Sequence, residues 1–276
     1  MDRHEGRRRF RNLIARPQGD FRLAEGALLI AQEAYPHLDI NVYLQRLDEI
    51  GSTIKQRLGM ELDPRRIVAA INTHLFDELN FRGNQDNYYD PRNSFLNEVL
   101  ERKTGIPITL SVIYIEIGRQ VGLPIVGVGM PGHFIVQYDA HAATFWIDPF
   151  HRGAILSQAD CADRVQQIYG RQVEWQAAFL VPVSDHDILR RMLGNLKGIY
   201  LQQRDFDHAL SVVERLLLMT PDQAAEVRDR GLLHHRLGNL EAAVDDLEHY
   251  LQLAPGAPDA AMVTQYLGTL RRRLNT

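Results

Sequence analysis

The pattern of apolar and polar positions divides the chain into a mixed first part and a wholly helical last part. Up to about residue 183, segments with the apolar spacing of helices alternate with short runs rich in β-branched residues. From residue 187 onward only the helical spacing continues. We therefore predict two domains, 1–183 (with an N-terminal helical part at 20–80) and 184–276. The length of 276 residues also favours two domains over one.

The stretch 105–150 predicts one buried helix followed by three strands. Two glycine-plus-proline signals bracket an apolar segment of helical length, 109–121, because proline suits a first helical turn and glycine suits the position after the last. Short apolar runs bounded by Gly, Pro or Asp follow, as expected of strands joined by turns. These runs are 125–129, 133–138 and 144–147.

His133 begins the second of these runs and Asp148 directly follows the third. If the two strands pair antiparallel, the carboxylate would lie beside the imidazole and orient it, as in the second half of a nucleophile–His–Asp triad. We therefore predict a hydrogen bond between the two side chains. A packed histidine satisfied by a buried aspartate is the alternative that the sequence leaves open.

Other segments with helical spacing lie on both sides of this stretch, and a polar loop, 83–93, separates two of them. The loop contains Tyr88 and Tyr89, which either line a cleft beside the central helix or pack within the loop. The remaining predicted helices are 21–34, 42–58, 64–79, 95–103, 158–169 and 258–274, and a further strand is predicted at 153–156.

Composition and charge exclude several classes of protein. Hydrophobic residues make up 45% of the chain and charged residues 24%, as in ordinary globular proteins. The net charge of -4 gives no reason to expect a nucleic-acid partner. No apolar run approaches the roughly 20 residues of a membrane span. The arginine-rich start lacks the apolar core of a signal peptide, so we expect no secretory signal, and we interpret this start as a disordered solvated end. The single cysteine makes a cytoplasmic location the default.

The single cysteine, Cys161, excludes an intrachain disulfide and a zinc site built from several thiolates. It is near the start of a predicted helix, but Asp160 and Asp163 would oppose a thiolate there. We interpret Cys161 as a structural thiol.

The last part of the chain contains an internal repeat. Two blocks, RDFDHALSVVERLLLMTP and GNLEAAVDDLEHYLQLAP, match at a spacing of 34 residues. This spacing resembles the tetratricopeptide repeat, in which small residues lie where two helices cross. A final helix would cover the second repeat. The first helix of each repeat would turn polar side chains toward a concave face. These side chains either bind the carboxylates of a peptide or form a solvated charged face. They are Arg191, Asn195, Arg228 and Arg236.

The chain resembles the bacterial SirB-type proteins in three segments, NYYDPRNSFLNEVLERKTGIPITLSVIY, GLPIVGVGMPGHFIV and FWIDPF. The same stretch is similar to a domain of some animal F-box proteins. The resemblance implies an α+β fold, with a papain-like, transglutaminase-like N-terminal domain that includes N-terminal helices and an all-α tetratricopeptide-repeat C-terminal domain. His133 and Asp148 match the family's His and Asp positions.

The resemblance also shows a departure at the nucleophile. Active transglutaminase-like enzymes carry a cysteine at the start of the central helix, usually just after a glycine. In this chain the residues after Gly105 read IPIT, so the only nearby nucleophile candidates are the hydroxyls of Thr109 and Ser111. A hydroxyl is a poor nucleophile unless a base lies within hydrogen-bond reach.

Three hypotheses follow. The first, which we favour because the thiol is missing, is a non-catalytic module that binds or regulates a protein or peptide partner. The second is a protease- or amidase-type hydrolase that uses Thr109 or Ser111 with the histidine and aspartate. A metal site on His133 with His141 or His151 has little support, because those spacings match no metal motif. We expect no cofactor, and the sequence leaves the oligomeric state open.

Overall fold

A computed structural model describes residues 3–17, 19–140 and 143–274. The chain forms two compact units, Met1–Met192 and Leu193–Thr276. The first combines helices with a sheet, and the described part of the second is helical, so the expected α+β domain followed by helical repeats is confirmed. No helix among the described residues is both long and apolar enough to cross a membrane.

The helices and strands are numbered separately in chain order. The helices are α1 (Arg3–Ile14), α2 (Leu23–Ala31), α3 (Ile40–Leu58), α4 (Pro64–Asn72), α5 (Leu96–Arg102), α6 (Pro107–Gln120), α7 (Gln158–Tyr169), α8 (Asp185–Gln203), α9 (Phe206–Met219), α10 (Ala224–Arg236), α11 (Leu240–Leu253) and α12 (Ala260–Leu274). The strands are β1 (Arg82–Gly83), β2 (Thr104–Gly105), β3 (Ile125–Val128), β4 (Ile135–Ala140), β5 (Ala143–Asp148), β6 (Ala154–Leu156) and β7 (Pro182–Val183).

Helix α6 is the buried centre of the first unit. Every residue from Pro107 to Gly118 is buried, because its sequence is apolar on all sides rather than along one stripe. Its one buried carboxylate, Glu116, accepts hydrogen bonds from the backbone N–H of Ala24 at 3.0 Å and from Arg22 at 3.2 Å. These partners compensate the cost of removing the charge from water, which is several kcal/mol for an unpaired ion.

The sheet has five strands in the order β6-β5-β4-β3-β7, and all neighbours are antiparallel. The antiparallel pairing of β4 with β5, on which the predicted His–Asp pair depends, is therefore present. Val136 lies opposite Ile147, so Asp148 and the residues just before β4 meet at one end of the sheet. The predicted strand start at His133 was wrong by two residues, since β4 begins at Ile135.

The prediction for the arginine-rich start was also wrong. This start is not a solvated end, because α1 buries Phe10 and Leu13, which are 0% and 1% exposed. These residues lie three positions apart and form an apolar stripe among the arginines. The predicted helix 64–79 is present, and its second part, Thr73–Glu78, is wound as a π-helix.

In the second unit, small residues lie where helices cross. Ala209 and Ala243, which match across the 34-residue spacing, are both fully buried. A Cβ atom on Gly231 would lie 3.0 Å from Leu247 Cγ, so α10 packs closely against α11 at this glycine. Lys197, where the repeat pattern favours a small residue, instead pairs with Glu226 and Asp229.

Candidate functional site

Asp148 is held in place by the turn that follows it. Its Oδ1 atom accepts hydrogen bonds from the backbone N–H groups of Phe150 and His151, at 3.1 and 3.2 Å, and the side chain is fully buried. Its Oδ2 atom lies 2.9 Å from His133 Nε2. The predicted hydrogen bond between His133 and Asp148 is therefore present.

A second imidazole contacts the same carboxylate oxygen. His151 Nδ1 lies 2.8 Å from Asp148 Oδ2, and Arg164 Nε approaches that oxygen at 3.4 Å. Burial opposes ionisation of Asp148, but the hydrogen bonds from His133 and His151 outweigh this effect and hold the pKa of Asp148 well below its usual range. The carboxylate is consequently an anion surrounded by donors at neutral pH.

The neighbours of His151 fix its tautomer. Arg164 Nη1 lies 3.2 Å from His151 Nε2. A guanidinium can only donate, so Nε2 accepts and the proton of the neutral ring is on Nδ1, from which it is donated to Asp148. By the same argument His133 donates from Nε2 to the carboxylate, which leaves Nδ1 as the basic nitrogen of that ring.

Arg191 fixes the backbone around His133. Its Nη2 atom donates to the carbonyl oxygens of Met130 and His133, both at 2.8 Å, and its guanidinium lies 5.4 Å from the centre of the Phe134 ring. These contacts are all within the first unit. Arg191 is predicted to lie on the concave face of the repeats, but in the structure it contacts Met130, His133 and Phe134. Helical periodicity does not reveal which unit an arginine contacts.

Gly132 allows close packing next to His133. Its φ is +65°, and a Cβ atom there would lie 2.9 Å from Ile168 Cγ2 and 2.9 Å from Tyr169 Cε2. Any side chain at this position would therefore be strained by the backbone and would collide with the end of α7.

Tyr88 and Tyr89 form an edge-to-face pair with ring centres 5.4 Å apart, and 36% and 61% of their surfaces are exposed. Burial raises the pKa of Tyr88, and the charge of Arg191 opposes this rise. Tyr88 is therefore within electrostatic range of the arginine that fixes His133. Packing within the loop and lining of the cleft are both compatible with these contacts.

The hydroxyl of Thr109 is part of a helix cap. Thr109 Oγ1 accepts from the backbone N–H of Ile106 at 3.1 Å and donates to the carbonyl of Asn93 at 2.8 Å. The side chain is fully buried. It makes no hydrogen bond with His133 in the described structure.

Ser111 is also fully buried, and its Oγ has no hydrogen-bond partner within the described ranges. Neither hydroxyl candidate is therefore bonded to the imidazole. Cys161 is buried in an apolar cluster with Val128 and Met130, and burial raises the pKa of its thiol to about 12. The structure thus brings His133 and Asp148 together without a hydrogen bond from either candidate hydroxyl to them, and the surroundings of Cys161 agree with a structural thiol.

His133, Asp148 and His151 form a potential metal-binding group, since their ligand atoms all lie within 4.8 Å of one another. The spacing of His151 from His133 matches no known metal motif, so the sequence alone gives a metal site here little support. The signal for its position was the short run DPFH, in which a turn after a strand brings the histidine back to the aspartate. His141 lies outside the described residues.

The second unit contains a groove of about 670 Å³ between α8, α10 and α12. Its apolar lining includes Leu201, Leu232 and Met262, which are 39%, 37% and 67% exposed. Arg228 and Arg236 line it, as does Arg204, which the sequence analysis did not single out. Asn195 is half-buried and does not line the groove.

The arginines of the groove differ in their partners. Arg228 donates to Asp229 and Asp259, at 2.9 and 2.8 Å. Arg204 and Arg236 make no ion pair within residues 193–274. The carboxylates of Asp229 and Asp259 are therefore paired with cations of the same unit. Arg204 and Arg236 are not paired with carboxylates among the described residues of this unit.

Comparisons with known proteins agree with this architecture. A family profile described as Transglutaminase-like superfamily matches residues 41–194, and one described as Tetratricopeptide repeat matches 196–268. A UPF0162 protein of Xylella fastidiosa (strain 9a5c) is 38% identical over 252 residues, which cover 89% of this chain and 88% of the relative. A UPF0162 protein of Pseudomonas aeruginosa is 30% identical over 251 residues, with 90% of each chain covered.

A third relative is a eukaryotic protein. F-box only protein 21 of Pongo abelii is 32% identical over 203 residues, which cover 69% of this chain and 32% of the relative. The shared region is therefore one part of a longer protein in that case. Transglutaminase-like and repeat regions in one chain are typical of a protein-interaction module. The chain belongs to the transglutaminase-like superfamily and to the UPF0162 family.

Proposed function

We propose that this chain is a SirB-type protein-binding module in which the groove of the repeats holds a segment of a partner protein and the transglutaminase-like domain does not catalyse a reaction. The observation that carries the proposal is the groove itself, in which apolar side chains exposed to solvent lie beside two arginines, Arg204 and Arg236, that make no ion pair with the described residues of this unit. Exposed apolar surface at a concave site is a common property of protein-binding surfaces.

The apolar lining supports binding of side chains rather than of a small ion. Leu201, Leu232 and Met262 belong to three different helices, α8, α10 and α12, so they form one surface from separate elements. A groove of about 670 Å³ accommodates a few side chains of an extended peptide. Burying these three side chains would supply a few kcal/mol, at about 25 cal/mol per Å² of apolar surface.

The charges support an acidic partner. Arg204 and Arg236 have no carboxylate partner within the described second unit, while Asp229 and Asp259 are each paired. The groove consequently has an excess of positive charge, and guanidinium groups bind carboxylates in two-point geometry. A peptide that places acidic residues beside apolar ones would match both features.

The first unit supports the non-catalytic part of the proposal. Covalent acyl transfer needs a nucleophile within hydrogen-bond reach of its base. Thr109 is bonded within a helix cap, Ser111 is buried without a partner among described residues, and Cys161 lies in an apolar cluster. The hydrolase alternative is favoured by one observation, the intact His133–Asp148 hydrogen bond.

The test selects peptides that bind the full-length chain and then measures their affinities for groove variants. We expect selected peptides to combine apolar and acidic residues. The double variant Arg204→Glu/Arg236→Glu should bind them at least about tenfold more weakly, which corresponds to about 1.4 kcal/mol. Increasing salt should weaken binding to the wild type.

The matched control is Arg272→Glu, an exposed arginine of the same unit that does not line the groove. This variant changes the net charge in the same direction at a different place and should bind within about twofold of the wild type. Equal losses in the groove variant and in Arg272→Glu would refute the groove as the binding site. Unchanged affinities of the selected peptides for both variants would also refute the groove as the binding site.

A further inference from the structure

His151 is not explained by a remnant of a catalytic triad. Such a triad needs one imidazole and one carboxylate, and His133 and Asp148 already supply them. Nevertheless His151 Nδ1 lies 2.8 Å from the same carboxylate oxygen that His133 contacts at 2.9 Å. Three groups of the kinds that bind transition metals therefore converge on one point.

We propose that His133, Asp148 and His151 form a binding site for a zinc-class divalent transition-metal ion. The ligand atoms are His133 Nε2, His151 Nδ1 and Asp148 Oδ2. Two imidazoles and one carboxylate suit zinc and the neighbouring first-row ions rather than magnesium or calcium, which prefer oxygen ligands. This proposal concerns the first unit alone and is independent of peptide binding in the repeats.

The distances are close to those of a metal site. Zinc binds imidazole nitrogen and carboxylate oxygen at about 2.0–2.2 Å, so neighbouring ligand atoms of a tetrahedral site are about 3.3 Å apart. The present separations of 2.9 and 2.8 Å are those of hydrogen bonds and require an outward movement of about half an ångström. Side-chain rotations of this size need no change of fold.

The carboxylate is already oriented for this role. The backbone N–H groups of Phe150 and His151 hold Asp148 Oδ1, which leaves Oδ2 directed at the two imidazoles. Hydrogen bonds of this kind to a ligating carboxylate orient it and tune its affinity for a metal. The side chain of His151 is 34% exposed, so an ion and its remaining water ligands can enter from that side.

Arg164 is the competing group. Its Nε lies 3.4 Å from Asp148 Oδ2 and its Nη1 lies 3.2 Å from His151 Nε2, so its positive charge now partly neutralises the carboxylate. When an ion binds, each neutral imidazole carries its proton on the nitrogen that faces away from the metal. His151 Nε2 then becomes a donor and no longer accepts from Arg164, whose side chain must turn toward solvent.

The experiment is isothermal titration of the full-length chain with ZnCl2, after chelator treatment and without a histidine affinity tag. Binding of Co²⁺ is followed in parallel by its visible absorption spectrum. We expect one ion per chain, with affinity that falls as the pH is lowered below 6 because protons compete for the imidazoles. His151→Gln should weaken binding at least about tenfold, and Arg164→Gln should strengthen it.

The matched control is His208→Gln. His208 Nδ1 lies 2.8 Å from Asp205 Oδ2, and its side chain is 38% exposed, but a second imidazole does not share that carboxylate in the described structure. This variant should bind zinc as the wild type does. Circular dichroism spectra show whether each variant is folded.

Three results would overturn the proposal. The first is a wild-type chain that binds neither zinc nor cobalt at micromolar concentrations. The second is a folded His151→Gln variant with wild-type affinity and stoichiometry. The third is an Arg164→Gln variant that binds more weakly than the wild type, because Arg164 would then support the ion instead of competing with it.

Discussion

The Nε2 atom of His133 lies 2.9 Å from Asp148 Oδ2, at the end of the sheet where the sequence places them. The hydrogen bond resembles that between a base and its orienting carboxylate in a catalytic triad, but it uses Nε2, where the Ser-His-Asp triad uses Nδ1. The hydroxyls at the start of the neighbouring helix α6 are bonded elsewhere or buried. These contacts support the proposal that the domain keeps the transglutaminase-like fold without catalysing a reaction.

The variant Asp148→Asn tests how strongly this carboxylate stabilises the first unit. The substitution retains the shape but removes the charge that accepts from His133, His151 and Arg164. We expect the free energy of unfolding to fall by about 2–4 kcal/mol, measured by denaturant titration. The matched control Asp205→Asn, in a more exposed His–Asp pair, should change it by less than about 0.5 kcal/mol. Similar losses in both variants would contradict the special role of Asp148.

The contribution of Asp148 should also depend on pH. Its folded-state pKa lies below the unfolded value of about 3.9, so the stabilisation is fully present above that value. It is lost as the pH falls through the folded-state pKa. The difference in unfolding free energy between the wild type and Asp148→Asn should consequently shrink as the pH falls below about 4. A difference that grows as the pH falls below about 4 would contradict the assigned direction.

The relation of His133 to Asp148 could be predicted because Gly, Pro and Asp residues mark the ends of β4 and β5. The other two groups that donate to Asp148, His151 and Arg164, could not be predicted. His151 reaches the carboxylate only because a single turn follows Asp148, and Arg164 comes from α7, 16 residues along the chain. Neither of these contacts with Asp148 follows from the spacing of residues alone. Arg191 likewise lies on a helix whose periodicity does not distinguish a contact with Phe134 from a place in the groove.

Thr109→Val tests whether this hydroxyl is a structural group. The variant removes the acceptor for the Ile106 N–H and the donor to the Asn93 carbonyl while preserving the volume of the side chain. Leaving buried backbone groups unsatisfied should lower the free energy of unfolding by about 1–3 kcal/mol. Thr109→Ser retains the hydroxyl and should cost less than Thr109→Val. The reverse order of stabilities would refute the capping role.

Gly132→Ala tests the packing next to His133. The new Cβ atom would meet Ile168 and Tyr169 at 2.9 Å in addition to the strain of a positive φ. We expect a loss of about 2–3 kcal/mol in the free energy of unfolding. Gly122→Ala is the control, because Gly122 also has a positive φ, +81°, but no atom within 4 Å of the added Cβ. It should lose about 1 kcal/mol from strain alone. Equal losses would indicate that the crowding at Gly132 is relieved at no cost.

The two units differ in how far their sequences predict them. The repeat unit was predictable because a 34-residue spacing and small residues such as Gly231 report directly on helix crossings. Helix α1 was not predicted, because arginines dominate the composition of this segment and suggested a disordered end. The helix nevertheless packs through two buried residues, Phe10 and Leu13. The lining of the groove could be predicted only in part, since Arg204 follows the end of α8 in a left-handed conformation that no periodicity describes.

The proposal that the first unit does not catalyse a reaction is tested most directly by covalent labelling of the native chain. A fluorophosphonate reports on activated hydroxyls and iodoacetamide on reactive thiols, and intact-mass measurement with peptide mapping locates any adduct. We predict no adduct at Thr109, Ser111 or Cys161 in the folded protein. A stoichiometric adduct at any of these residues that disappears in His133→Ala would show that His133 activates a nucleophile and would contradict the account.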